Sequence, residues 1–243
     1  MKIDKDTCTG CGNCLPFCTV GAISLVDWEG TERGDVYQDL CVECGVCLRA
    51  EICPMDAIYR PDLGWPRLLR EHFSNPTTQH PVTAIGGRGT EEIKTNDVTD
   101  RLKPGYAGVA VEMGRPGVGS TLRDLEKVSM ALAKLGVGFE PENPVLALMV
   151  DQKTGKLKDE VLDERVLSAI IEFSVEMDRL QDVLLVLKEV STRIDTVFSL
   201  DLASRVGEDG SIPTVRVAEE CGFTPRPNTK TNVGLGRPLF KEE

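Results

Sequence analysis

The chain has 243 residues, with 39 Asp and Glu against 28 Lys and Arg and a net charge of −11. That acidity disfavours nucleic-acid binding as a main activity, and no apolar run approaches the roughly 18 residues that a membrane-spanning helix needs. The length allows more than one hydrophobic core.

Eight of the nine cysteines lie between Cys8 and Cys53, in two similar runs. The first is Cys8, Cys11, Cys14 and Cys18; the second is Cys41, Cys44, Cys47 and Cys53, followed by Pro54. Three thiolates at i, i+3 and i+6 in a glycine-containing loop can converge on one face of a cubane, and a remote fourth closes it. The pattern therefore predicts two [4Fe–4S] clusters and movement of single electrons. Structural zinc is the alternative, but it uses paired CxxC arms, and the third cysteine of each run would be surplus. Disulfides suit small secreted chains. No apolar leader precedes Cys8, and Met1-Lys2-Ile3-Asp4 reads as the start of the domain, so they are not expected.

From about Ile3 to Tyr59 the sequence resembles the bacterial-type two-cluster ferredoxins. The resemblance includes a repeat around the remote cysteines, Cys18-Thr-Val-Gly-Ala22-Ile23 and Cys53-Pro-Met-Asp-Ala57-Ile58. In that family the fourth cysteine of each run ligates the other run's cluster. The resemblance thus implies Cys8, Cys11, Cys14 and Cys53 for one cluster, and Cys41, Cys44, Cys47 and Cys18 for the other. Two departures stand out. Thr19 replaces the usual proline while Pro16 sits inside the first run, and five residues rather than three separate Cys47 from Cys53. The longer spacing lengthens a helical turn without removing a ligand.

Gly10, Gly12 and Gly45 lie between ligands, where backbone N–H groups turn toward sulfur and a Cβ would obstruct them. Val20, Ala22, Ile23, Val46, Ala57 and Ile58 are expected to wall the clusters from water. Phe17, Trp28 and Tyr37 are read as ordinary packing residues.

Between Arg60 and Tyr106 prolines at 61, 66, 76, 81 and 104 interrupt the pattern, and only Arg67 to Phe73 reads as helix. So long a connector either wraps over the next domain or builds a binding loop. Its histidines, His72 and His80, are expected to be solvated.

Regular structure resumes at Ala107. Ala107 to Met113 reads as a strand. Ser120 or Thr121 caps a helix carrying the stripe Leu122, Leu125, Val128, Leu132 and Leu135, stopped by Gly136. Val145 to Val150 reads as a buried strand, and 151–156 as a turn. Ile171, Phe173, Val175 and Met177 alternate with polar residues. A helix follows with Leu180, Val183, Leu184, Leu187, Val190 and Ile194, then a strand through Phe198, Leu200 and Leu202. Phe139 marks one further strand. The fold class is α+β: a dicluster ferredoxin domain (1–60), a connector (61–106) and a βαββαβ ferredoxin-like plait with a C-terminal tail (107–243).

Three loops share Gly, Arg, Asn and Thr: one around Arg88 and Asn96, one around Arg115, and one around Asn232. Their convergence would make an anion site from Arg88, Asn96, Arg115 and Asn232. No loop matches a nucleotide-binding fingerprint, though Gly117-Val118-Gly119 before a helix suggests an anion site at its N-terminus. Cys221 reads as a small buried residue. No nucleophile or catalytic base accompanies the thiols. The expectation is a non-catalytic, cytoplasmic electron-transfer protein or subunit that docks a redox partner or oxidoreductase complex, with homo-oligomerisation through the plait. The competing reading is a redox-responsive anion-binding regulator or small iron–sulfur enzyme.

Overall fold

The computed structural model describes residues 1–84, 86 and 103–226. Its N-terminal part runs β1 (Lys2–Ile3), β2 (Ile23–Trp28), β3 (Thr31–Val36), helix α1 (Val46–Arg49) and β4 (Ile58–Tyr59). Strand β1 pairs antiparallel with β4, and β2 with β3. The β2–β3 turn uses Glu29 and Gly30 at φ of 52° and 79°, the left-handed conformations that match the twist of a two-residue hairpin. Ile3, Ala22, Ile23, Val36, Ala57 and Ile58 form a small core with the cysteine side chains, and Val20 packs against it. Val46, expected in the same wall, is only half-buried.

Helix α2 (Leu68–Ser74) occupies the connector at the expected place. It is no idle spacer. Leu69 and Phe73 are buried in the core of the larger part of the chain, while Arg67 and Arg70 reach back to the second cysteine run. Three contacts tie this region to the segment 160–167. Ser74 Oγ accepts from the Leu167 N–H at 2.8 Å, Trp65 Nε1 donates to Glu160 at 2.9 Å, and Arg70 pairs with Glu164.

The larger part contains β5 (Tyr106–Met113), β6 (Ser120–Thr121), α3 (Leu122–Ala133), β7 (Gly138–Phe139), β8 (Met149–Asp151), β9 (Lys156–Leu157), β10 (Arg165–Val166), β11 (Ala169–Glu176), α4 (Leu180–Ser191), β12 (Phe198–Ala203) and α5 (Pro213–Glu220). A four-stranded antiparallel sheet has the order β12-β5-β11-β7. Val111 lies between Ile171 and Leu200, and Val109 between Phe173 and Leu202, so one apolar face runs across the sheet. Leu122, Leu125, Val128 and Leu132 of α3 join Leu180, Val183, Leu184 and Leu187 of α4 in the core. Each fully buried leucine contributes about 1.5–3 kcal/mol. Thr121 caps α3, its Oγ1 accepting from the Asp124 N–H at 3.2 Å, and Gly136 follows the helix at φ 70°.

Several expectations need correction. Residues Pro144–Leu148 form a 3₁₀ turn rather than a strand, because Asn143 Oδ1 caps the Val145 N–H at 2.8 Å and Pro144 fixes a helical φ. Only Met149–Asp151 is extended, pairing with Lys156–Leu157 across the expected turn. Met177 begins a 3₁₀ turn into α4 instead of ending the strand, and α4 stops at Ser191, short of Ile194. The other face of the sheet holds buried acidic residues. Glu112 and Glu172 are buried there, accepting from Ser199 Oγ and Asn143 Nδ2, each at 2.8 Å. Among the described residues no helix is long and apolar enough to cross a membrane.

Candidate metal centres

The cysteines are gathered by loops whose shape the glycines permit. Gly10 and Gly12 have φ of 72° and 74°, and Gly45, opening α1, has φ 69°. These left-handed residues turn the chain sharply between thiols, a conformation a Cβ disfavours. Pro16 lies in a 3₁₀ turn at Leu15–Phe17, where its missing N–H is not needed.

Each remote cysteine joins the opposite run. Cys8, Cys11, Cys14 and Cys53 line one pocket, walled by Ile3, Leu25 and Ile58. Cys14 is raised above the ordinary thiol value by burial and by the charges of Cys8, Cys11 and Cys53 around it. Cys47 is pushed up to about 11 by burial and by Cys44, Cys41 and Cys18. Cys41 is raised chiefly by burial as well. Eight thiols thus form two sets of four, and in each set a buried thiol resists ionising without a cation to hold. Among the described residues no three His, Cys, Asp or Glu side chains close round a single ion.

The donors around sulfur fit thiolates that hold a cation. Ala22 N–H donates to Cys18 Sγ at 3.0 Å and Ala57 N–H to Cys53 Sγ at 3.3 Å, the same bond in both copies of the sequence repeat. Cys8 Sγ accepts from Gly10 and Gly34 N–H at 3.4 and 3.3 Å. Thr19, standing where proline was expected, places its hydroxyl 3.5 Å from Cys44 Sγ. Amides and hydroxyls aimed at sulfur stabilise bound thiolate charge and shape the potential of a cluster.

The two sets differ in setting. Cys11 is exposed, whereas Cys41 and Cys47 are buried. The carbonyls around the second run are held by arginines. Arg70 Nη1 donates to Gln38, Asp39 and Cys41 carbonyls at 2.9, 3.2 and 2.8 Å. Arg67 bonds Gln38 and the carboxylate of Glu43, which also meets the N-terminal ammonium. Arg49 donates to the Cys44 carbonyl at 2.9 Å and to Asn75 at 2.7 Å. Sequence reasoning missed these groups. The available signal was Glu43 between two ligands and a pair of arginines three apart where α2 begins.

Phe17, Trp28 and Tyr37 do not pack as expected: they are 39%, 43% and 56% exposed. The histidines depart in the other direction. His80 is 5% exposed, its ring edge-on to Phe73 and His72 at 5.0 and 5.6 Å. Burial, with the nearby His72, pushes its pKa down to about 4. Cys221 is buried, as expected, behind α5.

Of the expected anion-site residues, Arg88, Asn96 and Asn232 lie outside the described residues. Arg115 is paired with Glu112 and donates to Ser168 Oγ at 3.0 Å. At the start of α3, Thr121 Oγ1 satisfies one N–H, and the buried Asp124 carboxylate lies beside it. That helix end already carries its negative charge.

Comparison with known proteins agrees with this chemistry. Residues 1–59 match the family described as a 4Fe-4S dicluster domain. Over 56 residues, 23% of this chain, the sequence is 39% identical to pyruvate synthase subunit PorD of Methanothermobacter marburgensis. The match spans 58% of that relative's length. No solved structure matches the chain. The N-terminal quarter is a dicluster domain for two [4Fe–4S] clusters, followed by a mixed helix-and-sheet part for which these comparisons give no relative.

Proposed function

We propose that this chain is the electron-transfer component of a larger oxidoreductase. In this reading Cys8, Cys11, Cys14 and Cys53 hold one cluster, and Cys41, Cys44, Cys47 and Cys18 hold the other. The observation that carries it is the gathering of each remote cysteine with the opposite run. When bound, the clusters supply one-electron reduction and reoxidation. The protein's part is to hold the thiolates, screen them with Ile3, Leu25 and Ile58, and direct amides at sulfur. Exposed Cys11 makes the first set the side at which a partner exchanges electrons.

Residues 1–60 act as the cluster domain, 61–106 as a connector and 107–243 as a βαββαβ plait with a C-terminal tail. The plait reading is supported by the antiparallel sheet order β12-β5-β11-β7, fourth-first-third-second among its strands. Its role is to fix docking or assembly. A partner of the pyruvate synthase kind follows from the similarity to PorD, which covers only the cluster domain. An acidic surface at net charge −11 suits a basic docking patch, and a reducing cytoplasm suits the clusters.

Anaerobic purification of the tagged full chain from its own cells tests this. The expected result is a co-purifying oxidoreductase whose substrate reduces the chain's clusters, followed by EPR. A chain that purifies alone, with clusters that no oxidoreductase fraction reduces, would refute the proposal.

A further inference from the structure

We propose that Arg70 raises the reduction potential of the second cluster above that of the first, and that Glu164 is the counter-charge through which the sheet domain adjusts it. The inference rests on the proposed holding of that cluster by Cys41, Cys44, Cys47 and Cys18. Arg70 is 5% exposed, and one of its nitrogens donates to three carbonyls of the loop that enters the second run, including that of Cys41. Guanidinium stays charged under all working conditions. Reduction adds one negative charge to the site, and a fixed, desolvated cation nearby favours that charge, with little screening by salt. The cations near the first run are placed differently. Lys5 and Arg33 donate to the Gly34, Lys5 and Glu32 carbonyls, and Lys5 is paired with Asp35, which is half-exposed.

Glu164 meets Arg70 through Nε, on the edge turned from the Cys41 carbonyl. The nearer charge dominates, so the pair still favours the reduced state, less than Arg70 alone would. Glu164 belongs to the sheet domain. Its own carbonyl accepts from the Leu122 N–H at 2.9 Å at the start of α3, and Ser74 Oγ holds Leu167 three residues on. Any displacement of 161–167 against α2, by a partner docking on the sheet domain, therefore changes the charge facing the second cluster.

EPR-monitored redox titration of the anaerobic, iron-replete full chain tests this, with Cys11→Ser identifying the first cluster's signal. Glu164→Gln should make the second cluster's midpoint more positive, by about tenfold in the reduced-to-oxidised ratio, or ~59 mV for one electron. Arg70→Gln should move it the other way, Arg70→Lys should stay near wild type, and the first cluster should not move. Normal signals with unmoved midpoints in Glu164→Gln, or both clusters moving together, would sink the inference alone. So would Arg70→Lys shifting as far as Arg70→Gln, since the lost hydrogen bonds would then be the cause. A wild-type chain with no [4Fe–4S] signal would instead remove the proposed function, and this inference with it.

Discussion

Alanine at Gly10 separates the two reasons for a glycine in the first cysteine loop. Gly10 has φ 72°, and a Cβ built there would lie 2.3 Å from the Glu32 carbonyl oxygen and 3.0 Å from its carbon. The neighbour is backbone of β3, so the strand itself must move. Gly30, at φ 79°, has nothing within 4 Å of its Cβ position. The left-handed conformation costs about 1–2 kcal/mol at either site. Overpacking adds about 1–3 kcal/mol at Gly10 alone. Movement of β3 also loosens the Gly34 N–H bond to Cys8 Sγ. Gly10→Ala should therefore lose its clusters faster than Gly30→Ala by about 5- to 150-fold, if the extra strain appears in the barrier to release at about tenfold per 1.4 kcal/mol. The assay is the decay of cluster absorbance under anaerobic chelator challenge, with iron counted at intervals. Equal decay of the two variants would show that the contact with β3 contributes nothing.

Phe73→Ala should cost about 3–5 kcal/mol, because the ring is fully buried where α2 enters the larger core; a shift below about 1 kcal/mol in urea unfolding of the holoprotein would contradict that packing. His80 gives a pH dependence of definite sign. Its folded pKa near 4 lies below the ordinary 6.5, so the unfolded chain binds the proton first. The contribution is full above about pH 6.5 and is lost as pH falls toward about 4, by at most about 3 kcal/mol. Urea midpoints of wild type should fall more steeply over that window than those of His80→Gln, and parallel curves would refute the burial of the ring.

The sequence made the ligand loops plain because three thiols at three-residue spacing constrain a local loop, whatever surrounds it. The stripes of α3 and α4 were equally legible, since Leu122, Leu125, Val128 and Leu132 repeat at the helical period. Residues 145–150 misled because a short apolar run has no period of its own, and Asn143-Pro144 decided its conformation. Glu112 and Glu172 alternate like exposed strand residues, yet partners far along the chain allow them to be buried. The same holds for Arg70: its role depends on carbonyls about 30 residues earlier and a carboxylate 94 residues later. Long-range pairing of charges leaves no mark in local spacing. The connector's length marks it as more than a spacer, but nothing in the neighbours of its histidines shows that the segment packs.

The central claim is that each cluster draws three thiolates from one run and one from the other. Three serine variants compared by EPR after anaerobic reconstitution test it most directly. Cys53→Ser and Cys11→Ser should alter the same cluster signal, while Cys44→Ser alters the other. Cys53→Ser changing the signal that Cys44→Ser changes, with the Cys11 signal intact, would contradict the crossed arrangement.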